Sequence, residues 1–422
     1  MPESAGPPGA ASIACRSCRE RSLEVLLDLG RQVPANTFPA DPAGPDALER
    51  YPLRLARCAA CGLVQLGDEG PVEIVPPGAL APSPSATLRA HQDAFAAEVV
   101  GRLGIVPGRR VVETASHGGY LHRAFASLGV PTSLLESSAT LADEARAAEI
   151  DIERIALDQR SAEELAGRRG PADAIVDSYL LSHVPDLDEH LAGLAALLSP
   201  DGTLVAELDH LLPTVEGLQF DAIRHGHFTY LSLGSLAAAL RRQGLAVVDA
   251  SLQPVYGGAL RAWIRPAAAG VRPAPIVAEL LDRERAAGLD APGAYRRFAD
   301  GVGAACREVV AFLGERRDAG RRVAGYGAPS RGNTLLQTAG IGPDLLPFTV
   351  DRSAAKHGRY MAGTGIPILP PDALEAARPD VVLLLTWDIA SEVIAQQPRV
   401  PAWAVPIPRL TILDGGRNPD LT

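Results

Sequence analysis

Two histidines one residue apart, His225 and His227, stand in the stretch Phe220-Asp-Ala-Ile-Arg-His-Gly-His-Phe-Thr-Tyr230. The chain holds nine histidines in 422 residues, so a close pair in an apolar setting beside a predicted strand end needs a reason. Imidazole is the side chain that takes or gives a proton near neutral pH. Gly226, between the two rings, carries nothing that would orient or charge either of them. Four of the five cysteines form a second constellation, Cys15-Arg-Ser-Cys18 and Cys58-Ala-Ala-Cys61. Each pair has the two-residue spacing that aims both sulfurs at one ion, and four thiolates complete a closed tetrahedral zinc site. The 39 residues between the pairs exceed the gap in common fingers, so that segment must build structure of its own. A structural zinc is expected here; unliganded core cysteines and a redox pair are the alternatives. Cys306, alone in a predicted helix, reads as a core residue.

The elements that must hold these groups begin near residue 100, where strands alternate with helices. Arg110–Thr114, Pro131–Glu136, Ala172–Asp177 and Gly202–Glu207 read as strands, the last following the turn signal Ser199-Pro-Asp-Gly202. Leu141–Ala148 and Leu187–Leu198 read as helices between them. Such alternation builds a parallel sheet covered by helices on both faces. Leu245–Asp249 and Ala259–Ile264 have short connections and suit an antiparallel edge, an order that resembles the methyltransferase variant of the doubly wound fold. The Pro-rich run Pro266–Pro275 marks a boundary. A long helical region, Ile276–Arg317, follows it, and a second α/β pattern begins with strands at Arg322–Tyr326, Leu345–Val350 and Val381–Thr386.

Bulk properties narrow the function. A length of 422 residues allows two or three domains with real cores. A net charge of −10 leaves no basic surplus for phosphate backbones, which argues against a general nucleic-acid binder. No apolar run approaches a membrane span, and the first residues lack the basic start and apolar core of a signal peptide. The expected location is the cytoplasm, with reduced thiols where no metal holds them.

Open parallel sheets bind ligands beyond the carboxyl ends of their strands. The turn after the first strand is Glu113-Thr-Ala-Ser-His-Gly-Gly119, so Glu113, Ala115, Ser116, His117 and Gly119 are candidate cofactor contacts. Small residues there let the backbone approach a ligand closely. Glu136, ending the second strand, is placed to accept hydrogen bonds from ribose hydroxyls and to disfavour a phosphorylated ribose. The combination favours S-adenosylmethionine over a nicotinamide cofactor, because the three-glycine dinucleotide fingerprint is absent. In the second α/β unit, Arg331, Arg352, Lys356 and Arg359 are candidates to face a diphosphate, against the alternative of a solvated basic surface.

With these segments together, the chain resembles the deoxysugar C-methyltransferases of antibiotic biosynthesis, which add a branching methyl to a nucleotide-activated keto-sugar. The likeness covers nearly the whole chain. It includes the cysteine quartet, Arg54–Leu66, Asp173–Asp186 with His183-Val-Pro-Asp186, the His-x-His region and its tail Tyr230-Leu-Ser-Leu-Gly-Ser235. It is densest at Gly325-Tyr-Gly-Ala-Pro-Ser-Arg-Gly-Asn-Thr-Leu-Leu336 and continues through Val350-Asp-Arg352 and Lys356-His-Gly-Arg-Tyr360. The resemblance implies a zinc-binding domain over 1–75, a central Rossmann-like S-adenosylmethionine domain over 76–265, and a C-terminal Rossmann-like α/β domain over 266–422 without its own cofactor. A nucleotide-sugar would lie between the last two, with Tyr326, Ser330 and Asn333 joining the four cations as substrate contacts. The implied chemistry is removal of a proton beside a ketone, then attack of the enolate on the methyl sulfonium. By this resemblance His227 is the base, His183 lies near the sugar, His225 assists, and Ser178 and His91 fall on the cofactor side.

The departures from the family cluster at the chemistry. The family's Tyr-His-Glu-His run reads Arg224-His-Gly-His227, its Ser-Asn-Asp-Gly turn reads Ser116-His-Gly-Gly119, and its Asn-Asn pair reads Ser178-Tyr179. Around residue 83 its aromatic residues are replaced as well. Loss of both partners of a catalytic histidine would slow proton transfer by about 10²–10⁴-fold. Arg224 therefore has two readings, an anion contact in the sugar pocket or a salt bridge to a structural carboxylate. Beside the family reaction stand two alternatives: a repurposed member catalysing a different step of secondary metabolism, either methylation of another acceptor or a non-methylating proton transfer, cyclisation or hydrolysis, and a non-catalytic homologue that binds a nucleotide-sugar or a partner enzyme.

Overall fold

In the computed structural model, residues 13–41, 48–71, 85–114, 120–267 and 271–415 are described. The cysteine segment builds three antiparallel strands, β1 (Leu23–Gln32), β2 (Tyr51–Cys58) and β3 (Val64–Leu66). Alternating burial in β2 puts Leu53 and Leu55 into a core shared with helices near the other end of the chain.

The central unit runs α1 (Ala86–Leu103), β4 (Val111–Thr114), α2 (Tyr120–Ser127), β5 (Thr132–Glu136), α3 (Ala139–Ala147), β6 (Ile152–Arg154), α4 (Gln159–Arg169), β7 (Ala172–Ser178), α5 (Leu187–Leu197) and β8 (Leu198–Asp209). It closes with α6 (Leu211–Glu216), β9 (Thr229–Tyr230), α7 (Leu233–Arg242), β10 (Leu245–Gln253) and β11 (Ala259–Pro266). Its seven-stranded sheet has the order β10-β11-β8-β7-β4-β5-β6. Strands β4 to β8 are parallel, and β11 and β10 add an antiparallel edge. Side-chain oxygens of Ser138, Asp158, Asp186 and Ser232 cap the helices that follow them, satisfying amides the helices leave open. β4 buries every side chain and β7 all but Asp173, as strands covered on both faces should. The chain passes from β4 to one side of the sheet and returns through β7 to the other, so the switch-point crevice lies beyond Thr114 and Ser178.

The C-terminal unit comprises α8 (Pro275–Ala286), α9 (Pro292–Asp318), β12 (Val323–Tyr326), α10 (Ser330–Ala339), β13 (Thr349–Val350), β14 (Ile368–Leu369), α11 (Ala373–Ala377), β15 (Val381–Leu384), α12 (Ala390–Gln396), β16 (Ala402–Val405) and β17 (Thr411–Asp414). Its sheet order is β14-β13-β12-β15-β16-β17, parallel except at β17. No helix among the described residues is long and apolar enough to cross a membrane.

Four differences from the sequence reading have local causes. β9 pairs with β3 rather than with the central sheet, so the tail of the histidine segment becomes the fourth strand of the cysteine unit. β8 starts at Leu198 and absorbs the turn signal as an irregularity between Ala172 and Ala174 of its neighbour. The long helical region breaks after α8, where Gly288 is left-handed and Pro292 starts α9. The strand expected from Leu345 shortens to Thr349–Val350, because the amides of Leu345 and Leu346 turn back to the Gly342 carbonyl.

Candidate active site

A cavity of about 490 Å³ opens at the carboxyl ends of β4, β5 and β7. Thr114 and Glu136 stand at the strand ends, Leu141 and Leu157 give apolar walls, and His183 and Arg224 lie toward the other end. Glu136 accepts a hydrogen bond from the Ser138 amide at 2.9 Å, which fixes its carboxylate at the mouth of β5. Thr114 Oγ1 donates to Asp177 at 2.6 Å, and Asp177 accepts the Leu181 amide, so the chain after β7 is anchored beside β4. An acidic strand end followed by an apolar sleeve fits an adenosine with free ribose hydroxyls. Ala115, Ser116, His117 and Gly119 lie outside the described residues.

Three expected cofactor contacts are placed elsewhere. Glu113 points to the opposite face of β4 from Thr114, where Thr132 donates to its carboxylate and His122 lies 3.4 Å away. His91, on α1, donates to Glu207 at 2.6 Å within a buried group completed by Arg261. Ser178 is buried in register with Glu207 and is not part of the cavity wall. These positions support the sheet end around the cavity.

The histidine segment is tied down from three sides. The Phe228 amide donates to the Ser182 carbonyl at 2.7 Å, and His183 Nδ1 donates to the Gly226 carbonyl at 2.6 Å. Gly226 has φ +82, a left-handed conformation that a glutamate in its place would adopt only under strain. His225 lines the same cavity and also tethers the segment. Its Nε2 donates to the Pro52 carbonyl of β2 at 3.1 Å, and burial pushes its pKa down.

His227 has its partner in Asp209, at the end of β8. Nε2 donates to Asp209 Oδ2 at 3.1 Å, while the ring stacks on Tyr230 at 4.5 Å and meets His183 edge-on at 5.0 Å. Burial and the nearby Arg224 guanidinium push the His227 pKa down, against the Asp209 carboxylate. Burial alone would raise the Asp209 pKa, but the His227 hydrogen bond and the charges of His227, Arg224 and Arg331 hold it down at about 2. The pair is therefore an ionised carboxylate with a neutral imidazole, whose remaining lone pair is on Nδ1. That atom is sealed and has no hydrogen-bond partner, while the Asp209 side chain is 19 % exposed. A buried, unpaired acceptor costs about 1–3 kcal/mol and asks for a function. Arg224 donates to the Ala222 carbonyl at 3.1 Å through Nη1; its other nitrogens have no partner among the described residues and are not sealed. Arg224 lines the cavity and makes no salt bridge among the described residues.

The cations expected around a diphosphate are spread over separate protein partners. Arg331 bonds Asp221 at 3.2 and 3.3 Å, Gln219 at 2.9 Å and the Tyr256 carbonyl at 2.6 Å, and its guanidinium covers the Trp387 ring. Trp387 Nε1 also donates to Asp221 at 2.7 Å. Arg331 is thus a buried clasp between the C-terminal unit and the loop before the histidines. Asn333 is sealed and donates to the Ala35 carbonyl at 2.9 Å, and Tyr326 packs its ring edge-on against Trp403 in the core. Lys356 donates to the Ala328 carbonyl at 2.9 Å, Arg359 to the Phe38 carbonyl at 3.0 Å, and Arg352 to Gln396 at 3.0 Å. Ser330 opens α10 half-buried. The dense motif around these residues encodes close packing. Gly327, at φ +95, lets β12 turn into α10 where a side chain would strike Thr386.

The four cysteine sulfurs lie within 4.8 Å of one another, with Cys15–Cys61 at 3.5 Å and Cys18–Cys58 at 3.6 Å. Zinc–sulfur bonds of about 2.3 Å in a tetrahedron set sulfurs roughly 3.8 Å apart, so the quartet fits Zn²⁺. Next to Cys15, Arg16 donates to the Pro185 carbonyl at 2.6 Å and covers the Phe228 ring at 4.7 Å. The metal knuckle thereby props the residue beside His227.

Known proteins share this architecture. Family models match in three consecutive blocks: "Putative zinc binding domain" over 15–75, "Methyltransferase domain" over 88–250, and "C-methyltransferase C-terminal domain" over 254–408. The C-methyltransferase NovU of Streptomyces niveus is 33% identical over 391 residues, covering 90% of this chain and 91% of that protein. The chain belongs to the C-methyltransferase family. This C-methyltransferase also matches the ubiquinone biosynthesis O-methyltransferase of Xanthomonas campestris pv. campestris, at 30% identity over 35% of this chain and 66% of that protein. Among solved structures, the CcbJ methyltransferase from Streptomyces caelestis aligns at 14% identity over 42% of this chain and 90% of its own, with TM-score 0.33. The S-adenosylmethionine complex of the glycopeptide N-methyltransferase MtfA aligns at 17% identity over 41% and 93%, with TM-score 0.32. Family membership and the cavity's fit make this chain an S-adenosylmethionine-dependent, zinc-binding methyltransferase. The sequence reading passed over Asp209, Asp221, Tyr256 and Trp387. Asp209 lies two residues beyond the predicted strand Gly202–Glu207, which β8 extends to reach it.

Proposed function

We propose that this C-methyltransferase methylates the carbon beside the ketone of a nucleotide-linked deoxysugar, with His227 and Asp209 acting together as the base. The observation that carries this reading is the Asp209–His227 hydrogen bond, which supplies from β8 the carboxylate partner that Gly226 lacks. Glu136 and the apolar sleeve would hold S-adenosylmethionine, which would supply an electrophilic methyl. The residues of the chain do the rest. Nδ1 of His227 takes the proton next to the carbonyl, the C–H pair becomes a carbon–carbon double bond, and the carbonyl pair moves onto oxygen. Asp209 steadies the imidazolium that forms, as a buried carboxylate does for a histidine base. Arg224, facing the cavity with open donors, stabilises the negative oxygen where the family places a neutral tyrosine. Acceptor binding has to uncover the sealed ring.

Support for the deoxysugar comes from the family likeness and the relation to NovU. The repurposed and non-catalytic readings have no structural feature in their favour, because the cavity and the proton-accepting pair are both present. The test is incubation with S-adenosylmethionine and a thymidine diphosphate-linked 4-keto-6-deoxyhexose. A mass gain of one methyl on carbon supports the proposal. Binding of S-adenosylhomocysteine without methyl transfer to any such sugar would contradict it.

A further inference from the structure

Two tyrosines carry left-handed backbone at the carboxyl end of the central sheet. Tyr179, with φ +65, follows β7, and Tyr256, with φ +53, precedes the Gly257–Gly258 turn into β11. For a residue with a bulky side chain this conformation costs on the order of 1 kcal/mol or more and persists only where the surroundings impose it. Six described non-glycine residues have positive φ, and these two meet, with ring centroids 5.0 Å apart at 79°.

The surroundings do impose it. The Tyr179 amide donates to the Glu207 carbonyl at 2.6 Å. The Tyr256 carbonyl accepts from Arg331 at 2.6 Å, and the His210 amide donates to the Gly258 carbonyl at 3.3 Å. A Cβ on Gly257 would stand 2.7 Å from the Trp387 ring, so the C-terminal unit presses directly on this turn. Register fixes the rest. Ala259 pairs with Asp209, and Ser178 pairs with Glu207, so both tyrosines leave their strands beside the Asp209–His227 pair. The Tyr256 hydroxyl has no hydrogen-bond partner among the described residues, yet it is not sealed. The residue is half-buried and stands at the sheet end beyond which an open α/β sheet takes its ligand. Burial, reinforced by Asp388, Asp209 and Glu207, pushes the phenol pKa up, so it stays an O–H donor at neutral pH.

We infer that Tyr256 is a catalytic residue whose hydroxyl donates to the acceptor oxygen, and that Tyr179 is a positioning residue whose ring sets it. The inference rests on the enolate reading above. As the proton beside the ketone passes to His227 and the carbonyl pair moves onto oxygen, Tyr256 keeps its proton and hydrogen-bonds the negative oxygen. The acceptor class follows from the enolate reading: a ketone, whose developing negative oxygen a neutral phenol donor can bind.

The test uses the full-length zinc-loaded protein and the thymidine diphosphate-linked 4-keto-6-deoxyhexose as probe. Y256F removes one oxygen and keeps the ring. Its kcat should fall about 10²-fold, as when one oxyanion donor is lost, with S-adenosylhomocysteine affinity and thermal midpoint unchanged. Y179L should lower kcat more than it changes KM, and Y179F, which keeps the ring, should restore it. Wild-type rates in Y256F, or loss of kcat together with S-adenosylhomocysteine affinity, overturn the assignment while leaving the methylation reading in place. Wild-type protein that fails to methylate the probe retires that reading and this assignment with it.

Discussion

Arg331 separates two accounts of the C-terminal motif by an experiment with opposite outcomes. If it were a diphosphate ligand, Arg331→Gln would weaken nucleotide binding and leave stability alone. The structure makes it a clasp. Its side chain is 12 % exposed, its partner Asp221 is 1 % exposed, and the guanidinium bonds Asp221, Gln219 and the Tyr256 carbonyl while covering the Trp387 ring. Removing one member of a buried ion pair leaves an uncompensated charge, at a cost of about 3–5 kcal/mol. Trp387 Nε1 would still donate to Asp221, which places the expected loss at the lower end, about 3 kcal/mol. Asp221→Asn in the Arg331→Gln background removes the stranded charge, so the double variant should be more stable than the sum of the singles by about 1–3 kcal/mol. Urea titrations of all four proteins measure this, read separately for each transition, because a protein with several units need not unfold in one step. A loss under 1 kcal/mol in Arg331→Gln, with strictly additive singles, would refute the clasp and return Arg331 to the ligand-contact reading.

Three other outcomes follow from the same geometry. Asp209→Asn should destabilise the protein at pH 7 by about 2 kcal/mol, the equivalent of lowering a carboxylate pKa from 3.8 to about 2. The folded-state pKa is depressed, so that contribution is complete above about pH 4 and disappears as pH falls through 2; chemical denaturation across that window should show the wild-type advantage vanish, and a constant difference would be against it. Chelation of zinc should loosen the histidine loop, since Arg16 beside Cys15 covers Phe228 and holds Pro185; amide exchange at residues 224–230 should rise in the metal-free protein, and unchanged protection there would contradict the coupling. Gly226→Glu, which restores the family's glutamate, should lower rather than raise turnover, because φ +82 and the His183 hydrogen bond to the Gly226 carbonyl are specific to this loop.

The legible part of the fold was what local pattern controls. A short β-branched apolar run such as Ala174-Ile-Val176 and paired cysteines at two-residue spacing announce a covered strand and a metal knuckle without help from the rest of the chain. The candidate site was less legible, because its chemistry is made by distant pairings. Nothing near His227 announces Asp209, 18 residues earlier at the end of a strand. Nothing near Arg331 announces Asp221, 110 residues away, so an arginine in a glycine-rich strand–helix turn read as a phosphate contact. Tyr179 stood out in sequence only as a replacement in the family's Asn-Asn pair, and Tyr256 not at all. Their significance lies in backbone angles that only the assembled sheet end imposes. Glu113 shows the complementary error: on the right strand, its side chain belongs to the face opposite the cavity, and strand alternation between 113 and 114 decides it.

Loss of deuterium from the carbon beside the ketone of a labelled thymidine diphosphate-linked 4-keto-6-deoxyhexose, in the presence of S-adenosylhomocysteine, isolates the proton-removal step from methyl transfer. The account predicts rapid washout with the wild-type protein and a fall of at least about 10²-fold in both His227→Gln and Asp209→Asn, with S-adenosylhomocysteine still bound. Washout in His227→Gln at the wild-type rate would show that this imidazole takes no proton, and the proposed base would be wrong.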